Sequence, residues 1–216
     1  MTSAKPELPD YLGNIRIILT RTSHPANIGS AARAMKTMGL HKLTIVAPNL
    51  MSTPMTGQPP VFNPENPQDF QLPEESFILA SGAADVLHNA VIAATLGEAL
   101  ADTTLACALT SRRREITAPL QTPRELVPEL LQAARRGEQV ALVFGNETFG
   151  LSIEAVKACN RLRKINGKHK YYSHNHDKDV KGVWEDIKRQ KQKNMTKENH
   201  EDNTDTHEQI KGMAAK

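Results

Sequence analysis

Four short aliphatic runs set the strongest limit on what this chain can become. Asn14-Ile-Arg-Ile-Ile-Leu-Thr20, Lys42-Leu-Thr-Ile-Val46, Thr104-Leu-Ala-Cys-Ala-Leu109 and Gln139-Val-Ala-Leu-Val-Phe144 are each five to seven residues long and mainly apolar, the first β-branched. Runs of this length without strict alternation read as strands buried on both faces. Helical segments separate them. Gly29, Ser30, Ala31 and Ala32 open one that runs to about Met38 and is stopped by Gly39. Glu74–Ser81 and Leu96–Ala101 suggest two more. Pro123–Arg136 carries Leu126, Val127, Leu130, Leu131 and Ala134 on one side, and Ser152 to Cys159 follows the last run. With a further short strand at Val91–Ala94, the β-α-β-α-β alternation predicts an α/β fold, a doubly wound parallel sheet flanked by helices with right-handed crossovers.

The 216 residues suit one such domain with an appendage. An N-terminal tail over 1–13, a core domain over 14–165 and a charged C-terminal tail over 166–216 are expected. Aromatics make up only 4%, so the core must be aliphatic. Seven of the thirteen prolines fall between Pro48 and Pro73, which predicts a long irregular loop, functional or mobile. The net charge is +3, but residues 1–162 hold 14 Lys and Arg against 15 Asp and Glu. Nucleic-acid affinity would therefore come from local patches. No apolar run approaches membrane-spanning length and the N-terminus lacks a leader pattern, which predicts a cytoplasmic protein with no membrane association. Cys107 and Cys159 read as reduced, buried thiols.

Three segments at strand ends could carry chemistry. In Ser23–Gly39 a strand runs into a small-residue helix, which presents free backbone N–H groups at the sheet edge where ligands bind. Asn27 and Arg33 are the polar candidates there; alternatively Asn27 is a helix cap and Arg33 a solvated helix residue. In Ala141–Ser152, Gly145 and Gly150 frame Glu147, as a ligand site or a structural turn. In Leu109–Arg114, Thr110 and Ser111 offer hydroxyls, and Arg112, Arg113 and Arg114 form a cluster suited to phosphate or simply a solvated turn. Neither a Walker loop nor a dinucleotide fingerprint is present. His169, His174, His176, Asp177 and Asp179 match no metal-ligand spacing, so no metal is expected.

Two of these segments carry a resemblance. Asn27-Ile-Gly-Ser-Ala-Ala-Arg33-Ala-Met-Lys-Thr-Met-Gly-Leu40 resembles motif 1 of the SpoU-type (SPOUT-class) RNA ribose 2′-O-methyltransferases, and Ala141–Ser152 resembles motif 2, in the right order and separation. Ser81-Gly-Ala-Ala-Asp-Val-Leu-His-Asn-Ala90 and Thr110–Glu115 resemble the bacterial branch acting on position 32 of the tRNA anticodon loop. The resemblance covers about residues 14–162. It implies a C-terminal trefoil knot, S-adenosyl-L-methionine as cofactor, tRNA as substrate and a homodimer with sites shared between subunits. By position it implies Asn27 and Arg33 at the reacting ribose and Glu147 as the motif 2 carboxylate, holding Arg33 or pocket backbone. Thr110, Ser111, Arg112, Gly145 and Ile165 would line the cofactor pocket, and Arg112–Arg114 would contact tRNA phosphates.

The chain departs from the family at motif 3. Tyr171-Tyr172-Ser173-His174-Asn175 stands where a Ser-Leu-Asn core belongs, so Ser173 and Asn175 join the catalytic group and Tyr172, Ser173 and His174 the cofactor wall by position alone. Asp177, Lys178, Asp179 and Lys181 replace the apolar helix that follows. Such a composition argues against a packed knot, because too little apolar surface offsets the entropy of ordering. A non-catalytic RNA-binding protein is the rival reading, and binding of S-adenosyl-L-methionine separates the two.

Overall fold

The computed structural model describes residues 10–52, 57–58, 60–110 and 123–164. Among the described residues six strands, β1 (Ile15–Thr20), β2 (Lys42–Val46), β3 (Val91–Ala93), β4 (Leu105–Thr110), β5 (Val140–Phe144) and β6 (Arg161–Lys164), form one sheet in the order β3-β2-β1-β5-β4-β6. Every pairing is parallel. The four aliphatic runs are β1, β2, β4 and β5, the sheet's centre.

Successive residues in a strand point to opposite faces, and the two faces differ in size. Ile17, Leu19, Leu43, Ile45, Leu105, Leu109, Leu142 and Phe144 belong to the larger core cluster. It is packed by α1 (Pro25–Met38), α2 (Glu74–Ala80), α3 (Ala84–His88) and α5 (Pro123–Arg135). The other face is built on Ile18, Val46, Ala106, Ala108, Ala141 and Val143. Its small side chains leave a thinner layer, covered by α4 (Leu96–Leu100) and α6 (Ile153–Ala158). Burial on both faces removes the polar alternation from these strands.

Local chemistry sets the element ends. Pro25 starts α1, a position where its missing N–H costs nothing. The helix thus begins four residues before the expected small-residue run. Gly39 ends it with φ 76°, and Leu40 N donates to Met35 O at 2.9 Å. Midway, Gly29 meets α2 so closely that a Cβ would lie 2.1 Å from Ser76 O. Thr95 and Glu98 form a capping box on α4.

Three features differ from the sequence reading. Asp10–Asn14 form a 3-10 turn with Leu12 3% exposed, and Arg135 lies over the Tyr11 ring at 5.0 Å, so the fold begins inside the expected tail. The helix α3 was not anticipated. Nor was β6, whose one apolar residue gives no strand signal; its approach is marked by Asn160, whose carboxamide pairs with β4 like a peptide group, accepting from Ala106 N at 2.8 Å and donating to Thr104 O at 2.9 Å. The expected knot and the tail over 166–216 lie outside the described residues. Among the described residues, no helix is long and apolar enough to cross a membrane.

Candidate active site at the carboxyl edge of the sheet

The strand order reverses between β1 and β5, where open parallel sheets form their ligand crevice. Here the chain leaving β1 lies against the chain leaving β5. Gly145 makes this possible: a Cβ on it would lie 2.2 Å from Gly150 C and Leu151 N. Its side-chain space is therefore filled by its own loop, which gives a packing reason for a residue expected from sequence to admit ligand. The turn is held by Asn146. Its Oδ1 accepts from Thr148 N at 2.9 Å and Phe149 N at 3.0 Å, and its Nδ2 donates to Arg21 O at 2.8 Å.

Glu147 then crosses to the start of α1. One carboxylate oxygen accepts from Ser23 Oγ at 2.7 Å and Ser23 N at 3.0 Å; the other accepts from Asn27 Nδ2 at 2.9 Å and, at 3.5 Å, from His24 N. His24 is the N-cap residue but offers no side-chain cap, so the carboxylate serves the helix's positive end instead. Burial raises the Glu147 pKa, yet the donors from Asn27 and Ser23 outweigh it and hold the carboxyl below its ordinary value. The carboxylate is thus an acceptor already committed to motif 1, and poorly suited to take a further proton.

This geometry revises two expectations. Asn27 is not the cap of α1 but its third residue, with its side chain turned to Glu147. Arg33 is exposed, lies about 12 Å along the helix from its start, and has no side-chain partner among the described residues. Of the two partners expected for Glu147, Arg33 or nearby backbone, the structure shows the backbone N–H groups of Ser23 and His24, together with the Ser23 and Asn27 side chains.

The strand register brings the pocket candidates into one row. Leu109 pairs with Phe144 and Thr110 with Lys164, which sets Thr110 beside Gly145 and the end of β6. Thr110 is buried. Ser111, Arg112, Arg113, Arg114, Ile165, Tyr172, Ser173, His174 and Asn175 lie outside the described residues. Among the described residues no group of three or more His, Cys, Asp or Glu is placed to hold a metal ion.

Sequence reasoning missed Ser23, Thr22 and Asn146. Nothing local marks Ser23, and only the partner 124 positions away reveals its use. Thr22 Oγ1 is buried without a hydrogen-bond partner among the described residues, while Thr22 O and Ser23 O receive Asn49 N and Met51 N from the loop after β2. Asn146 had a readable signal, an Asn directly after a strand-ending Gly, since Asn side chains often bond to backbone two residues on.

Comparison with known proteins adds to this geometry. Residues 64–177 match the model of the SpoU rRNA Methylase family. The chain belongs to that family. This SpoU chain is 40% identical over 150 residues to the tRNA (cytidine/uridine-2′-O-)-methyltransferase TrmJ of Escherichia coli strain K12, covering 69% of itself and 52% of the relative. It therefore spans about half the length of such curated relatives. A methylase family protein from Neisseria gonorrhoeae, known from a crystal structure, is 79% identical with a TM-score of 0.79 over 85% of each chain. TrmJ from Z. mobilis ZM4 is 32% identical with a TM-score of 0.61, over 80% of this chain and 67% of that one. The SpoU fold and the parallel sheet expected from sequence are thus the same.

Proposed function

We propose that this protein is a tRNA 2′-O-methyltransferase that uses S-adenosyl-L-methionine to methylate a ribose, at position 32 of the anticodon loop. One observation carries the reading: the Glu147 carboxylate locks the motif 2 loop to Ser23 and Asn27 of motif 1 at the sheet's switch point. The family description speaks of rRNA, but the relatives near 40% identity act on tRNA, and this favours tRNA as substrate.

The row formed by Thr110, Gly145 and the end of β6 fits a ligand read mainly through backbone groups at a sheet edge. Thr110 and Gly145, followed in sequence by Ser111, Arg112 and Ile165, with Tyr172, Ser173 and His174, would hold the cofactor. When bound, it supplies a methyl carbon already activated by a positively charged sulfur. The chain's own task is alignment and exclusion of water. Arg33 would hold the phosphate beside the target ribose through its planar guanidinium and polarise its 2′-hydroxyl. Asn27, fixed by Glu147, would orient the ribose, with Ser173 and Asn175 completing the polar set. Arg112, Arg113 and Arg114 would contact phosphates, which makes binding salt-sensitive.

Arg33 stands well down α1 from Glu147, and this supports a homodimer in which a second copy completes each site. The protein would act in the cytoplasm, without a membrane or a metal. Calorimetric titration with S-adenosyl-L-methionine, then mapping of the methyl group on tRNA, tests the reading. Binding and methylation at position 32 are expected. RNA binding without cofactor binding would instead establish the non-catalytic alternative.

A further inference from the structure

A groove of about 830 Å³ opens beside the candidate site, on the thin face of the sheet. Arg21, Asn146, Phe149 and Ile153 lie along it. Two of them are costly where they stand. Phe149 is 71% exposed, the one aromatic among the large exposed apolar side chains of the described residues. Arg21 has φ 53°, a left-handed conformation that strains a residue with a Cβ.

A single carboxamide holds both. Asn146 Nδ2 donates to Arg21 O, and Asn146 Oδ1 accepts from Phe149 N. Arg21 N in turn donates to Val46 O at 2.8 Å, so both backbone groups of the strained residue are anchored. The Arg21 guanidinium is exposed and has no partner among the described residues. Ile153, in the first turn of α6, is 52% exposed and extends the apolar lip. Phe149 follows Glu147 by two residues, at most about 7 Å of chain.

A cation carried on an anchored backbone and an exposed aromatic ring along the same groove suit single-stranded nucleic acid, where the ring stacks on a base and the guanidinium pairs with a phosphate. We propose that Asn146 presents Arg21 and Phe149 as a grip for an unpaired nucleotide of the RNA substrate next to the ribose being methylated. The grip rests on the methyltransferase reading given above. It is distinct from the Arg112–Arg114 cluster because it follows β1 and β5 rather than β4. Phe149 fixes the base by stacking, so the site tolerates base identity while requiring an unstacked loop.

The test uses the full chain, an anticodon stem-loop RNA oligonucleotide and the same sequence as a fully paired duplex. Phe149→Ala is expected to weaken stem-loop binding about ten-fold, as loss of one base stack does, and to raise KM with kcat kept. Phe149→Trp is expected to retain affinity and Phe149→Leu to lose it, which separates stacking from apolar packing. Arg21→Ala is expected to lower the salt dependence of binding by about one phosphate contact. Unchanged affinity and salt slope in Phe149→Ala and Arg21→Ala, with the unsubstituted chain binding and methylating RNA, would overturn the grip alone. Failure of the unsubstituted chain to bind either RNA would overturn the methyltransferase reading and the grip together. If Phe149→Ala instead shifts the sedimentation of the RNA-free protein towards a smaller species, Phe149 belongs to a protein contact and the grip is wrong.

Discussion

Asn27 donates to the Glu147 carboxylate at 2.9 Å across 120 residues of sequence, and this bond joins the two motifs that carry the family resemblance. Because the same carboxylate also receives both the N–H and the hydroxyl of Ser23, it is a structural keystone as well as a site residue. Glu147→Ala is expected to cost about 3 kcal/mol of stability, the scale for charge-assisted bonds left unpaired on partly buried donors. Urea unfolding of the two proteins measures it. A loss under 0.5 kcal/mol would mean the donors find water instead.

The same carboxylate predicts a pH signature. Its pKa is lowered in the folded state, so below the ordinary carboxylate range the unfolded chain binds more protons and stability rises with pH. The stability gap between the unsubstituted chain and Glu147→Gln is expected to be full near neutrality and to close as pH falls through the depressed native value. Unfolding curves between pH 7 and 3 follow the gap. A gap independent of pH would remove the ionised carboxylate from the explanation.

Arg33→Ala should leave stability within about 0.5 kcal/mol, since the residue is exposed. Methyl transfer is expected to be abolished with affinity for S-adenosyl-L-methionine nearly intact. Turnover at the unsubstituted rate would exclude Arg33 from the mechanism.

Thr22→Val removes a buried hydroxyl that has no partner among the described residues. The side chains are nearly the same shape, so a gain of about 1 kcal/mol is expected on thermal or urea unfolding. Destabilisation would reveal a water bound to Thr22 Oγ1.

Burial pushes the Cys159 thiol up to about 11. At pH 8 about one thiol in a thousand is then ionised, and alkylation by iodoacetamide should be far slower than for a free cysteine. Mass spectrometry of the modified peptide distinguishes the two, and rapid labelling at pH 8 would contradict the burial.

How much of this was legible in the sequence depends on the range of the interaction. Ile17, Leu43, Leu105 and Leu142 announced their strands because burial on two faces needs continuous apolar runs, and Gly39 announced the end of α1 through its backbone freedom. The residues Asn27 and Glu147 could be singled out at their strand ends. That they touch each other, and that Arg33 stands apart from them, could not be read, because it depends on β1 pairing with β5. Ser23 was hidden for the same reason, and so was the hold of Asn146 on Arg21, since each acts on a segment more than 120 positions away. The early start of α1 was missed because the small residues from Gly29 were read as its opening, whereas Pro25 is its first residue.

The central position of β1 has a consequence during synthesis. It pairs with β2 within some thirty residues, but its other neighbour β5 lies 124 residues further along at the Thr20–Phe144 contact. At a ribosomal pace of about 5–20 residues per second, one edge of β1 stays open for roughly 6–25 s. Through that interval Ile15, Ile17 and Leu19 flank a strand with unmet backbone groups, a template for pairing with the wrong chain. The nascent protein is therefore most vulnerable to aggregation before Val140–Phe144 emerges, and a chain cut short of that strand would have neither the closed sheet nor the carboxylate that ties it.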